Sequence, residues 1–155
     1  MQLDGRLGRS KRCPVEQTQT QIDGGGVQCV DGGIKIEHRF LAGNNALFLD
    51  FEMERGADGA NTGYCFPDML VDVVRLSKAG KRDEAHDLFD AHLPLIRYEQ
   101  QPGPGLAVRK YIMKKRGIIA SDTMRKPFSA LTPAAREEVE YLLARLAKKD
   151  PRAAL

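Results

Sequence analysis

Between Ile34 and Gly80 the chain repeats one pattern twice: a short apolar extended run, a cluster of glycine and asparagine, and an amphipathic helical stretch. The first run, "IKIEHRFLAG", alternates Ile34 and Ile36 with Lys35 and Glu37 and then turns continuously apolar, as a strand does when it enters a covered sheet. It is expected to end at Gly43. Ala46, Leu47, Phe48, Phe51 and Met53 then predict a short helix that stops at Arg55-Gly56, where a glycine can take the left-handed conformation. "ADGAN" reads as a second short strand. Pro67 fits a first helical position, and Met69, Leu70, Val73, Val74 and Leu76 form one face of a helix closed by Gly80.

The order strand, helix, strand, helix points to an α/β fold with parallel strands. Two such units do not bury a parallel sheet alone, so the pattern implies further strands that this segment does not carry. In a (β/α)8 barrel they would be the last two units. The polar clusters, Gly43-Asn44-Asn45 and Asn61-Thr62-Gly63, would then lie where strands give way to helices, the face on which such barrels place their chemistry.

After Gly80 only helical patterns follow, over Asp83 to about Gln101, Gly105 to Arg116, and Pro133 to Leu146. The first aligns Ala85, Leu88, Phe89, His92 and Leu93, with a bend expected at Pro94 because proline removes a helix hydrogen bond. The last opens on Thr132 as N-cap and buries Val139, Leu142, Leu143 and Leu146. The arm 1–33, with "VEQTQTQIDGGG", has neither period and is expected to be poorly ordered. Three segments result: the arm 1–33, the βα units over 34–80, and a helical annex over 81–155.

With 155 residues, 42% hydrophobic and 29% charged, the chain has the composition of one globular domain. No run reaches the roughly 20 apolar residues of a membrane span, and the first residues lack the apolar middle of a signal peptide, so a cytoplasmic protein is expected. Cys13, Cys29 and Cys65 form no C-x-x-C pair and read as reduced thiols. His86 and His92 are six apart, which is not the spacing of a two-histidine metal face, and no metal is called for. A net charge of +3 balances 24 basic against 21 acidic residues, too mild to imply nucleic acid. The basic run "RKYIMKKRG" reads as a helix end matching its own dipole.

The stretches "LAGNNALFL", "RGADGANTGYCFPDML" and "AHDLFDAHLPLIRYEQQPGPGLAVRKYIMKKRGIIASDTMRKP" together resemble the dihydrodipicolinate synthase and N-acetylneuraminate lyase family of class I aldolases and dehydratases. The resemblance runs from about Ile34 to Leu146 and looks nearest to the branch of keto-deoxy sugar acid dehydratases. It implies a partial (β/α)8 TIM barrel, the last two βα units with a C-terminal helical annex. The reaction of such proteins runs through a Schiff base between a lysine and a 2-keto acid such as pyruvate, because the protonated imine is an electron sink. No further cofactor is implied.

That lysine belongs to the sixth strand and a proton-relay tyrosine to the fifth, and neither strand is matched here. Lys35 precedes Gly43 by eight residues within one strand and does not fit the lysine's place, so no catalytic residue is assigned. The resemblance makes Gly43, Asn44 and Asn45 the end of the seventh strand, meeting the distal end of the substrate. Asn61, Thr62 and Gly63 become the end of the eighth, with the Asn61 carbonyl beside the Schiff base. Sialic-acid lyases carry an acidic pair after the glycine, whereas Asn45 and Ala46 here suit a smaller polyhydroxy acid. The alternative is that these residues only supply tight βα turns. Tyr98 to Gly105 is expected to cap the barrel or an interface rather than to touch substrate.

The function expected is that of the C-terminal part of a Schiff-base lyase, acting on pyruvate or 2-keto-3-deoxy sugar acids and inactive alone. The rival is a non-catalytic remnant or interaction protein that pairs with another subunit. Either way a homo-oligomer, or association with a relative, is expected, since two strands leave an open edge.

Overall fold

The computed structural model describes residues 39–155. The arm 1–33, Lys35, Cys13 and Cys29, for which expectations are given above, lie outside the described residues. Strand β1, Leu41–Ala42, pairs in parallel with β2, Gly59–Ala60, with Leu41 opposite Gly59 and Ala42 opposite Ala60. The ladder continues beyond both strands, as the Asp58 amide donates to the Phe40 carbonyl at 2.7 Å and the Asn61 amide to the Ala42 carbonyl at 2.9 Å.

Between the strands lies α1, Leu49–Glu54, and after β2 comes α2, Pro67–Lys78. Helix α1 begins three residues later than Ala46, because Asn44, Asn45 and Ala46 lie at positive φ. It ends where expected, with Gly56 at φ +96°. Pro67 occupies the first turn of α2, where its missing N–H costs nothing, and Met69, Leu70 and Val73 are buried while Val74 and Leu76 are partly so.

Three helices complete the described chain: α3, Arg82–Glu99; α4, Gly105–Lys115; and α5, Pro133–Leu146. Helix α3 runs as one element through Pro94. It packs against α1, α2, α4 and α5 and so forms the central post of the fold. Phe89, Leu95 and Ile96 on α3 meet Val108 and Ile112 on α4 and Val139 and Leu143 on α5 in one apolar core. The Thr132 hydroxyl accepts from the Ala135 amide at 3.1 Å, the expected N-cap of α5. The described architecture is thus mostly helical, with a two-stranded parallel ladder at one side.

Candidate functional site

Immediately after β1 the chain makes a turn that L-residues seldom adopt. Asn44, Asn45 and Ala46 lie in succession at φ +47°, +50° and +64°, a single left-handed turn closed by bonds from the Ala46 amide to Gly43 O, 2.9 Å, and from the Leu47 amide to Asn44 O, 3.1 Å. Asparagine tolerates this region because its short amide can bond locally, whereas Ala46, fully buried, does not share that advantage. The turn occupies the place where α1 would otherwise have started. Strain of this kind persists only where the surroundings fix it, and here they do. The Asn45 side-chain amide donates to Gln100 Oε1 at 3.2 Å. Changing Asn45 to alanine removes that bond and leaves a less tolerant residue at positive φ. The expected loss is about 1 to 2 kcal/mol of unfolding free energy, read by chemical denaturation.

The second cluster follows β2. Asn61 is exposed, and Thr62 and Gly63 are partly buried. The Thr62 hydroxyl donates to the Gly43 carbonyl at 3.3 Å. Because β1 and β2 are parallel neighbours, the six residues Gly43, Asn44, Asn45, Asn61, Thr62 and Gly63 meet at the C-terminal end of the same ladder.

Behind both loops stands the end of α3, within the Tyr98 to Gly105 stretch expected to cap the barrel or an interface. Gln100 Nε2 donates to the Asn44 carbonyl at 2.7 Å. Glu99, its side chain 1% exposed, accepts from the Cys65 amide at 3.2 Å and from Arg109 Nε at 2.9 Å. The Arg109 guanidinium lies against Gly63, where an added β-carbon would sit 3.0 Å from Cζ and overlap Nη1. Burial pushes the Glu99 carboxyl above the ordinary carboxylate value, with the Cys65 amide and Arg109 opposing. Burial, reinforced by Glu99, raises the Cys65 thiol as well, so this free cysteine is a buried and inert one.

A second buried polar chain runs beside the first. The Tyr64 hydroxyl and His92 Nδ1 are 3.0 Å apart, and His92 Nε2 and Asp150 Oδ2 are 2.9 Å apart. All three residues are at most 4% exposed. Asp150 accepts only, so His92 Nε2 carries a proton, and in the neutral imidazole that burial favours Nδ1 is left to accept the Tyr64 O–H. Burial holds the His92 pKa below its ordinary value, with Asp150 opposing, and raises that of Tyr64. For Asp150, burial pushes upward but the bonds from His92 and the Arg152 amide outweigh it, and the net shift is downward.

His86 lies elsewhere, between Asp50 at 3.3 Å and Glu54 at 2.7 Å. Among the described residues no group of three or more histidine, cysteine or carboxylate side chains is arranged so that it could hold a metal ion. The basic run is occupied within the protein: Lys114 pairs with Asp122, Lys115 with Glu140 and Arg116 with Asp68. No helix among the described residues is long and apolar enough to cross a membrane.

Comparison with known proteins places these elements in context. The model of the dihydrodipicolinate synthetase family matches residues 27–146, starting ahead of the Ile34 boundary read from the sequence. An L-2-keto-3-deoxyarabonate dehydratase of Azospirillum brasilense is 36% identical over 115 residues, 74% of this chain and 37% of that protein. A crystal structure of dihydrodipicolinate synthase from Rhodopseudomonas palustris superposes with a TM-score of 0.69 at 72% identity, over 70% of this chain and 36% of the other. The chain therefore spans little more than a third of the length of either relative. With most of its length matched by the family model and its fold shared with a solved synthase, this chain belongs to the dihydrodipicolinate synthetase family.

Proposed function

We propose that this chain carries the distal substrate-binding part of a family lyase or dehydratase, with β1–α1 and β2–α2 as the last two units of a (β/α)8 barrel and residues 81–155 as its helical annex. The observation that carries the reading is the meeting of Gly43, Asn44 and Asn45 with Asn61, Thr62 and Gly63 at the C-terminal ends of adjacent parallel strands. The ligand is a 2-keto acid, pyruvate or a 2-keto-3-deoxy sugar acid, and the name of the dehydratase relative supports the second of these. Asn45 and Ala46 favour a small polyhydroxy acid over sialic acid, since neither supplies the acidic pair. The six residues are glycine, asparagine and threonine and carry no side-chain amine, so their contribution is binding and orientation rather than the Schiff-base step.

A second reading, an interaction protein that pairs with another subunit, draws support from exposed apolar side chains. Phe48 and Phe51 are each about half exposed, beside a groove of about 650 Å³ that also includes Leu47, Phe89 and Leu93. The two readings separate in one experiment. Calorimetric titration of the purified chain with pyruvate and with a 2-keto-3-deoxy acid gives saturable binding under the first. Thr62→Val weakens it by about fivefold through loss of one hydrogen bond. Absence of binding, with sedimentation of a stable dimer, favours the second. Borohydride reduction in the presence of pyruvate checks the covalent step: a mass increase on Lys35 would assign a nucleophile to this chain.

A further inference from the structure

We propose that Glu99 and Gln100 are positioning residues, one for each of the two loops, and that the end of α3 sets the distance and orientation between the halves of the binding site. The proposal rests on the reading that these loops bind a 2-keto acid. Consecutive residues on a helix project about 100° apart, so one helix end can address two separate segments. Gln100 faces the left-handed turn and uses both ends of its amide there, giving a proton to Asn44 O and taking one from Asn45 Nδ2. Glu99 faces the second loop and uses both carboxylate oxygens, one for the Cys65 amide and one for Arg109 Nε. Arg109 in turn covers Gly63.

The two side chains suit these tasks chemically. Asn44 O already accepts the Leu47 amide, and its remaining lone pair can take only a donor. Asn45 Nδ2 needs an acceptor. Glutamine supplies both groups, and neither glutamate nor lysine does. At position 99 both neighbours are donors, and a carboxylate that only accepts satisfies them together. The loops are thus joined through one rigid helix end as well as through the Thr62–Gly43 bond. A site assembled from two separate turns needs such support, because misplacement of one half weakens every contact made by the other.

The test uses the full 155-residue chain, with hydrogen exchange of assigned amides and pyruvate titration as readouts. Gln100→Ala is expected to speed exchange at Ala46 and Leu47 by about tenfold, to leave Cys65 unchanged, and to raise the pyruvate Kd by about fivefold. Gln100→Glu, which keeps the acceptor and loses the donor, falls between wild type and Gln100→Ala. Glu99→Gln, which keeps shape and an acceptor but releases Arg109, speeds exchange at Cys65 and leaves Ala46 and Leu47 unchanged. The amides of Val139 and Leu143 on α5 stay as in wild type in all three variants.

Unchanged exchange at Ala46 and Leu47 in Gln100→Ala overturns the proposal, as does uniform acceleration that includes α5. Faster exchange in the turn with an unchanged Kd also overturns it. If the wild-type chain takes no pyruvate yet each variant loosens only its own loop, the positioning roles stand and the keto-acid reading fails.

Discussion

Replacing His92 with alanine is expected to lower the unfolding free energy by about 3 to 5 kcal/mol, the cost of breaking a buried polar chain and opening a cavity. The ring is fully buried, and both its nitrogens are used: Tyr64 at 3.0 Å and Asp150 at 2.9 Å. Its removal leaves the buried Tyr64 hydroxyl and Asp150 Oδ2 without their partner. It also cuts the tie between α3 and the short 3-10 turn Pro151–Ala153, which Asp150 caps. Tyr64→Phe removes only the end of the chain and is expected to cost about 1 to 2 kcal/mol.

The same residue gives the chain a pH dependence. The folded state holds the His92 pKa below its ordinary 6.5, so just below that pH the unfolded chain binds a proton that the folded one refuses. Stability contributed by the neutral ring is fully present above 6.5 and is lost as pH falls from 6.5 through the lower folded value. Asp150, whose folded pKa lies below 3.8, acts in the same direction at more acid pH. Denaturation midpoints measured from pH 7.5 downward should fall below pH 6.5 in wild type. That early fall should be missing in the His92 variant.

Gly105→Ala is expected to cost about 3 kcal/mol, at the upper end of overpacking penalties. An added β-carbon would stand 3.1 Å from the Glu99 carbonyl carbon and overlap its oxygen. Those are backbone atoms of the helix end that supports both loops, and no rotamer change relieves the clash. At Gly43, by contrast, nothing lies within 4 Å of the added carbon. Gly43→Ala should leave stability within about 0.5 kcal/mol of wild type. At Gly63 the obstacle is the side-chain end of Arg109 rather than backbone, so Gly63→Ala falls between the two. Thermal unfolding of the three variants in parallel orders them.

Much of this could be read from local patterns. Pro67, Thr132 and Gly56 punctuate helices by mechanisms that act within one turn, and the structure puts α2, α5 and the end of α1 where those residues say. The end of β1 at Ala42 and the parallel pairing with β2 follow the same logic. The left-handed turn was half legible: Asn44 and Asn45 announce it, but Ala46 looks like a helix former, and so α1 appeared three residues too long.

The supports of the site were not legible, because each depends on partners far away in sequence. His92 sits on an apolar stripe and reads as one more core residue until Tyr64 and Asp150 arrive from 28 and 58 positions away. Gln100 meets Asn45 across 55 positions and Asn44 across 56, and Glu99 meets Cys65 across 34. Helical periodicity says which face of α3 is buried. It does not say that the last turn should be polar and buried at once, and a buried glutamate followed by a glutamine is the signal that could have drawn notice.

Amide chemical-shift mapping during a pyruvate titration tests most directly whether the two loops act as one keto-acid site. The amides of Gly43 to Ala46 and of Asn61 to Gly63 should shift saturably with a single common Kd, while those of α5 stay still. Absence of saturable shifts in either loop, or shifts confined to the groove beside Phe48 and Phe51, would contradict it.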